Sequence, residues 1–225
     1  MSSRLSPITT GPVATYFPGS VPLSLIVDAS GRCLYVVTSG TNQLYGYSID
    51  QTSGQLTMMP WAPLILFGGG GCGSITAAGT PITTGILQGP VTINTDQFAS
   101  FLFTANGDSS GTGGTLSEYS INSNSGALTT VNSAVAAGAA PYSLTFSYPN
   151  TFMYVADKDS SAISGYQFNG GGTVTPISIT PPATYLARVV GITSDPHSNY
   201  YYVVSEDNGI WLSRTAPDLL REIGS

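Results

Sequence analysis

The side chains that could do chemistry in this sequence are a few scattered carboxylates and one well-placed arginine. Asp108, Asp157, Asp159, Glu206 and Asp207 each fall just after a short β-branched or aromatic run, and Arg188 stands just before another. A carboxylate can serve as general base toward water while a neighbouring cation holds a developing oxyanion. Arg188 with Glu206 or Asp207 is the pairing that suits such a hydrolysis. Asp108, Asp157 and Asp159 offer charged oxygens to a metal ion or to a polar, sugar-like ligand. The competing reading is a set of solvated loop residues that keep a sparsely charged surface in water.

Other reactive residue types are few. His197 is the only histidine, and its pKa range makes it the obvious general base. It lies in Asp195-Pro196-His197-Ser198-Asn199, however, a composition that reads as a turn, and Arg32 falls at the matching place in Asp28-Ala29-Ser30-Gly31-Arg32. Cys33 and Cys72 are too few for a zinc site, and a disulfide between them is left open. The run Gly68-Gly69-Gly70-Gly71-Cys72-Gly73 lacks the Lys-Ser/Thr ending of a phosphate loop. No metal and no cofactor is expected.

Residues so far apart share a site only if the chain brings equivalent loops together, and internal similarity supplies the means. Aligning Tyr35, Phe103, Tyr154 and Tyr202 stacks Leu23, Val91, Tyr142 and Val190, then Leu25, Ile93, Leu144 and Ile192, with small or polar residues between them. That period of two marks a strand with one packed face. A further run recurs as Leu44/Tyr47/Ile49, Leu116/Tyr119/Ile121 and Ile163/Tyr166/Phe168. Turns follow it at Thr52-Ser53-Gly54, Asn124-Ser125-Gly126 and Gly170-Gly171-Gly172, where glycine supplies a positive φ. Asp28, Asp96 and Asp195, with Ser147 in the third copy, open tight turns and accept backbone N–H bonds there. The repeated tyrosines (Tyr45, Tyr47, Tyr119, Tyr166, Tyr200, Tyr201, Tyr202) read as packing residues with the hydroxyl at a wet edge.

The marker aromatics are 68, 51 and 48 residues apart, the excess lying in an insertion at 61–85 and a Gly/Ser-rich loop at 108–114. Without insertions the unit is about 40 to 45 residues, the size of a four-stranded propeller blade. The expected fold is an all-β β-propeller of four-stranded antiparallel blades. Residues 1–225 form a single domain with an orphan outer strand at 5–10 and blades at about 22–60, 90–131, 141–179 and 189–215. Two arrangements fit. The orphan strand could complete the last blade and close a four-bladed ring, or the four blades could be part of a larger one. Helical patterning is confined to Ala216–Ile223.

Composition limits the partners. Lys plus Arg is 6, Asp plus Glu is 12, the formal net charge is −6, and charged residues are only 8% of the chain. Nucleic acid and anionic membrane surfaces need clustered cations that are missing here. No apolar stretch reaches the roughly 20 residues that span a bilayer. A soluble chain with a small-molecule or protein ligand is expected, and a homodimer if the ring is incomplete. Low charge with many Ser, Thr and Gly suggests a periplasmic or extracellular location, although residues 1–7 lack the apolar core of a signal peptide.

The run Asp28-Ala29-Ser30-Gly31-Arg32-Cys33-Leu34-Tyr35-Val36, followed by Asn42-Gln43-Leu44-Tyr45-Gly46-Tyr47-Ser48-Ile49-Asp50 and Ser53-Gly54-Gln55-Leu56-Thr57, resembles the bacterial lactonase-type propeller family that includes 6-phosphogluconolactonase. The resemblance implies seven blades where four are visible here, and a ligand site over the central channel on the face where the acidic loops emerge. Two functions remain in play: a non-catalytic recognition or scaffold propeller, and a sugar-lactone hydrolase using Arg188 with Glu206 or Asp207.

Overall fold

A computed structural model describes residues 21–39, 42–59, 82–83, 89–107, 113–179, 187–197, 200–207 and 209–214. The chain is all-β, and among the described residues no helix is long and apolar enough to cross a membrane. The first sheet contains β1 (Pro22–Val27), β2 (Cys33–Thr38), β3 (Gln43–Ile49) and β4 (Leu56–Met58), with the short β5 (Ile82–Thr83) pairing with β3 at Gln43 and Leu44. The second contains β6 (Gly89–Thr95), β7 (Phe101–Gly107), β8 (Gly114–Ile121) and β9 (Leu128–Ala137). The third contains β10 (Pro141–Phe146), β11 (Phe152–Asp157), β12 (Ala162–Phe168) and β13 (Val174–Ile177), and the fourth β14 (Val189–Ser194), β15 (Tyr200–Ser205) and β16 (Gly209–Arg214). Each is an antiparallel meander in chain order. The orphan strand at 5–10, the segment Ala216–Ile223 and nearly all of the insertion at 61–85 lie outside the described residues.

The marker aromatics occupy equivalent places. Tyr35 pairs with Gly46, Phe103 with Glu118, Tyr154 with Gly165 and Tyr202 with Leu212. The first strand of every sheet also carries a bulge at the same point, after Pro22, Pro90, Pro141 and Val189. Simple alternation through Leu23, Val91, Tyr142 and Val190 is thereby interrupted, because a bulge sets two residues against one and turns the strand end.

Sheets stack in sequence order. β1 and β2 pack on β6, β6 and β7 on β10, and β10 and β11 on β14; no comparable packing joins the first sheet to the fourth among the described residues. Cys33, Tyr35, Val37 and Leu44 meet Ile93, Leu102, Tyr119 and Leu128 between the first two sheets. Phe103, Ala105, Leu116 and Val135 meet Leu144, Met153, Val155 and Tyr166 in the next interface, where the rings of Phe103, Phe146 and Phe168 touch one another at centroid separations of 5.0 to 5.9 Å. Ala156 and Ile163 meet Val189, Ile192 and Val203 in the last.

Among the described residues the four blades therefore form an open arc; the orphan strand expected to close a ring lies outside them. Burying area at three interfaces is what stabilises each blade, since one four-stranded sheet has no core of its own. Polar groups cross the same interfaces. The Tyr35 hydroxyl donates to Gly126 O at 2.6 Å, the Tyr166 hydroxyl to Ala136 O at 2.9 Å, and Asn94 Nδ2 to Leu144 O at 3.1 Å. The Tyr119 side chain is wholly buried rather than set at a wet edge, and burial pushes its hydroxyl pKa up to about 12.

Candidate functional site on the loops between blades

The loops at the C-terminal ends of β2, β11 and β15, together with the connections that enter β1, β10 and β14, lie at one end of the strands. The turns that join β1 to β2, β6 to β7, β10 to β11 and β14 to β15 lie at the other. These turns are built as their composition implies. Asp28 Oδ1 accepts the N–H groups of Arg32 and Cys33, Asp96 Oδ1 those of Ser100 and Phe101, and Asp195 Oδ1 that of Tyr200, while Ser147 Oγ accepts that of Phe152. His197 is exposed, its backbone N–H bonds Asp195 Oδ2, and a full strand length separates it from Arg188 and Glu206. Arg32 donates instead to the carbonyls of Ser123 and Asn124 in the next blade. Both residues serve the turn face.

At the opposite end a charged cluster joins the third and fourth blades. Glu206 receives Lys158 Nζ on Oε1 at 2.6 Å and Arg188 Nε on Oε2 at 2.5 Å. The hydrogen bonds from Lys158 and then Arg188 lower the Glu206 pKa, and the bond and charge of Glu206 raise that of Arg188, to which Asp207 and Asp159 also contribute. Lys158 Nζ stands 5.2 Å from the centre of the Tyr142 ring, and Tyr142 is itself exposed. Sequence reasoning paired Arg188 with Glu206 but missed Lys158. Alignment on the marker aromatics contains the signal, because Lys158 and Glu206 then occupy the same loop position in adjacent blades.

The backbone there is a blade feature. Arg188 has φ +51° and its aligned counterpart Ala140 has φ +52°. Glu206 N–H bonds Arg188 O, Lys158 N–H bonds Ala140 O, and Ser39 N–H bonds Val21 O in the first blade. The left-handed turn at Arg188 thus belongs to the entry into the bulged inner strand, and it points the guanidinium toward the Glu206 loop.

Asp157 is placed differently. Its aligned neighbours Thr38, Asn106 and Ser205 are buried, and so is Asp157. Asp157 Oδ2 accepts from Ser164 Oγ at 2.5 Å, and the N–H groups of Gly138 and Ser164 also face the carboxylate, while Oδ1 has no partner. Burial outweighs these bonds and raises its pKa to about 6. Asp159 and Asp207 are exposed beside the cluster. Asp108 lies outside the described residues. Among the described residues no three metal-ligating side chains converge.

Such an arrangement holds donors and acceptors side by side on an open surface. Glu206 is already neutralised by two cations, so it is a weak proton acceptor, whereas Arg188 is half exposed and can donate outward.

The family model described as lactonase, 7-bladed beta-propeller, matches residues 73–185, half of the chain. No curated protein matches the sequence. Among solved structures, a candidate 6-phosphogluconolactonase from Bacteroides fragilis superposes with a TM-score of 0.66 at 16% identity over 91% of this chain and 54% of its own. A second candidate 6-phosphogluconolactonase, from Bacteroides uniformis, gives 0.65 at 12% identity over 90% of this chain and 53% of its own. A periplasmic gluconolactonase of Pseudomonas aeruginosa gives 0.50 at 15% identity, covering 96% of this chain and 74% of its own. The chain spans about half the length of the first two.

Proposed function

Because this chain belongs to the lactonase family of seven-bladed β-propellers, we propose that its loop cluster around Arg188 recognises a sugar-like ligand without catalysing its hydrolysis. The observation that carries this reading is the double ion pair on Glu206. A general base needs a pKa near the working pH, and the best-placed carboxylate has its pKa lowered. A polyol suits what remains. Carboxylates of Asp159 and Asp207 accept from hydroxyls, Arg188 and Lys158 donate, and the exposed Tyr142 ring offers an apolar face to carbon-bound hydrogens. Two cations among three carboxylates leave no net positive charge, so a strongly anionic ligand is less suited than a neutral sugar.

Export forms part of the same reading. Cys33 is disulfide-bonded, and disulfides persist in oxidising compartments. The Pseudomonas relative is periplasmic by name.

The second reading is a sugar-lactone hydrolase, favoured by the names of the relatives. Calorimetric titration with glucose and gluconate, beside acid release from gluconolactone, separates the two. Recognition predicts saturable binding that weakens at least ~10-fold (about 1.4 kcal/mol) in Arg188→Ala and in Lys158→Ala, with acid release no faster than in buffer. Acid release above buffer that disappears in Arg188→Ala would establish the hydrolase instead. No binding and no turnover would remove the sugar class from both readings.

A further inference from the structure

Near the end of its second strand every described blade buries one polar side chain: Thr38, Asn106, Asp157 and Ser205. Three of the four are uncharged, and their bonds stay within their own blade. Thr38 Oγ1 donates to Gln43 O at 3.2 Å, Asn106 Nδ2 to Ser117 Oγ at 2.9 Å, and Ser205 Oγ to Ala187 O. A hydroxyl or an amide is enough to build this corner, so the fold does not call for a carboxylate there. Asp157 receives the N–H groups of Gly138 and Ser164 and the Ser164 hydroxyl, yet Oδ1 has no partner. The corner has no slack, since a Cβ at Gly138 would overlap Oδ2.

The charges around Asp157 do not offset its own. Tyr166 on β12 is the titratable group that faces it, and burial and then the Asp157 charge raise the Tyr166 pKa. Residues 136–140, which meet the carboxylate through Gly138, are alanines and a glycine. Lys158, next in the chain, sends its ammonium to Glu206. Glu118 is the other carboxylate buried between the second and third blades, and among the described residues no lysine or arginine is buried beside either.

Asp157 also stands at the root of the loop that builds the Arg188 cluster. Lys158 N–H donates to Ala140 O at 2.9 Å and Asp159 N–H to Ala139 O at 3.1 Å. The loop and the Asp157 side chain thus grip one connection, residues 138–140. Two residues further on is Tyr142, whose ring centre lies 5.2 Å from Lys158 Nζ. At the other end of the loop Ser161 Oγ accepts the Arg188 N–H at 3.1 Å.

We propose that Asp157 is a positioning residue whose protonation sets how the 158–161 loop seats against Arg188, so that sugar recognition at the cluster, the reading on which this rests, responds to pH. The neutral acid remains in its corner, and the loop stays seated on 138–140. Ionisation leaves a charge with one bare oxygen out of water, and movement of the loop that admits water to Oδ1 lowers that cost. Burial raises the Asp157 pKa to about 6, against the pull of the Ser164 and Gly138 donors. The seated loop therefore holds the proton more tightly than an opened one; it is favoured below about pH 6 and loses ground as pH rises through that value. Glu206, with its pKa lowered, and Arg188, with its pKa raised, keep their charges across the same range. A change in affinity there comes from loop position.

The test follows the backbone amide shifts of the isotope-labelled full chain by NMR from pH 5 to pH 8, beside calorimetric titration with glucose, which does not ionise in that range. The amides of Gly138, Lys158 and Ser161 are expected to move together with a midpoint of about 6. Glucose binds at least ~3-fold more tightly at pH 5 than at pH 8, because the competent fraction falls. Asp157→Asn keeps an oxygen for the Gly138 and Ser164 N–H groups and abolishes both effects. Asp157→Ser, the side chain of the aligned Ser205, repeats the test should the first variant misfold. Glu118→Gln leaves both effects in place. Loop amides that do not titrate, or that titrate equally in Asp157→Asn, overturn the proposal, and so does a glucose affinity that ignores pH while those amides move. A parent that binds no glucose at either pH removes the sugar reading instead, and the amides alone then decide whether Asp157 moves the loop. A purely structural Asp157 would make Asp157→Asn less stable without altering the pH profile of the loop.

Discussion

Among the described residues, Glu118 is a buried carboxylate with one oxygen left unpaired. It projects from β8 between the second and third blades, at the place where Gly46 and Gly165 stand in their neighbours, and it is fully buried. Oε1 accepts the Val174 N–H at 3.0 Å and Oε2 has no partner. Burial raises its pKa from 4.5 to about 7, against the opposing pull of the Val174 bond. The folded state then holds this proton more tightly than the unfolded chain, so stability falls as pH rises from about 4.5 to about 7. Asp157, raised to about 6, acts in the same direction. Denaturant titration is expected to show the parent more stable at pH 5 than at pH 8, by on the order of 1–3 kcal/mol. Glu118→Gln flattens most of that slope; an unchanged slope would place the titration elsewhere. Tyr35→Phe removes the hydroxyl that bonds Gly126 O across the first interface and costs about 1–2 kcal/mol by the same titration, since a buried acceptor is left unpaired.

Among elements, the tight turn at the start of each second strand shows how the sequence specifies structure locally. Asp96 is buried and accepts from Phe98, Ser100 and Phe101 N–H groups and from Asn150 Nδ2 of the next blade. Asp28 makes the same turn near the surface of the first blade, without a neighbouring blade's amide. Asp96→Ala is expected to destabilise by about 2–4 kcal/mol and Asp28→Ala by about half as much, read from urea midpoints. The residue three positions after the turn carboxylate or serine is left-handed in each blade where it is described, at Gly31 (φ +70°), Ala99 (φ +48°) and Asn150 (φ +76°). Sequence alone assigns that conformation to Gly31 only, because glycine advertises a positive φ and alanine does not. Ala99→Gly relieves the strained Cβ and should raise the thermal midpoint, with a gain of about 0.5–1 kcal/mol after the entropy cost of glycine. A lower midpoint would mean that Ala99 is held without strain.

For the whole molecule, neighbour-only packing makes stability a sum of blade and interface contributions. Hydrogen exchange should therefore find β7 and β11, each with a described blade on both sides, slower than β15, which has one among the described residues. Uniform protection across β7, β11 and β15 would mean a single cooperative unit instead.

Strand positions, the turn carboxylates and the identity of the packing aromatics were legible in the linear order of residues, because pleat alternation and turn chemistry act over a few neighbours. Arg188 and Glu206 were legible as partners once equivalent loops were aligned. The same alignment puts Lys158 at the loop position of Glu206, but only the stacked blades show that the two loops meet. The bulge that re-aims Tyr142 and the burial of Asp157 were likewise invisible, being set by how each inner strand enters the stack. Whether the ends of the arc meet was also beyond local pattern. Local sequence repeats the same apolar faces four times, but only the angle between packed sheets decides that Leu25 and Tyr202 face outward, apart from each other.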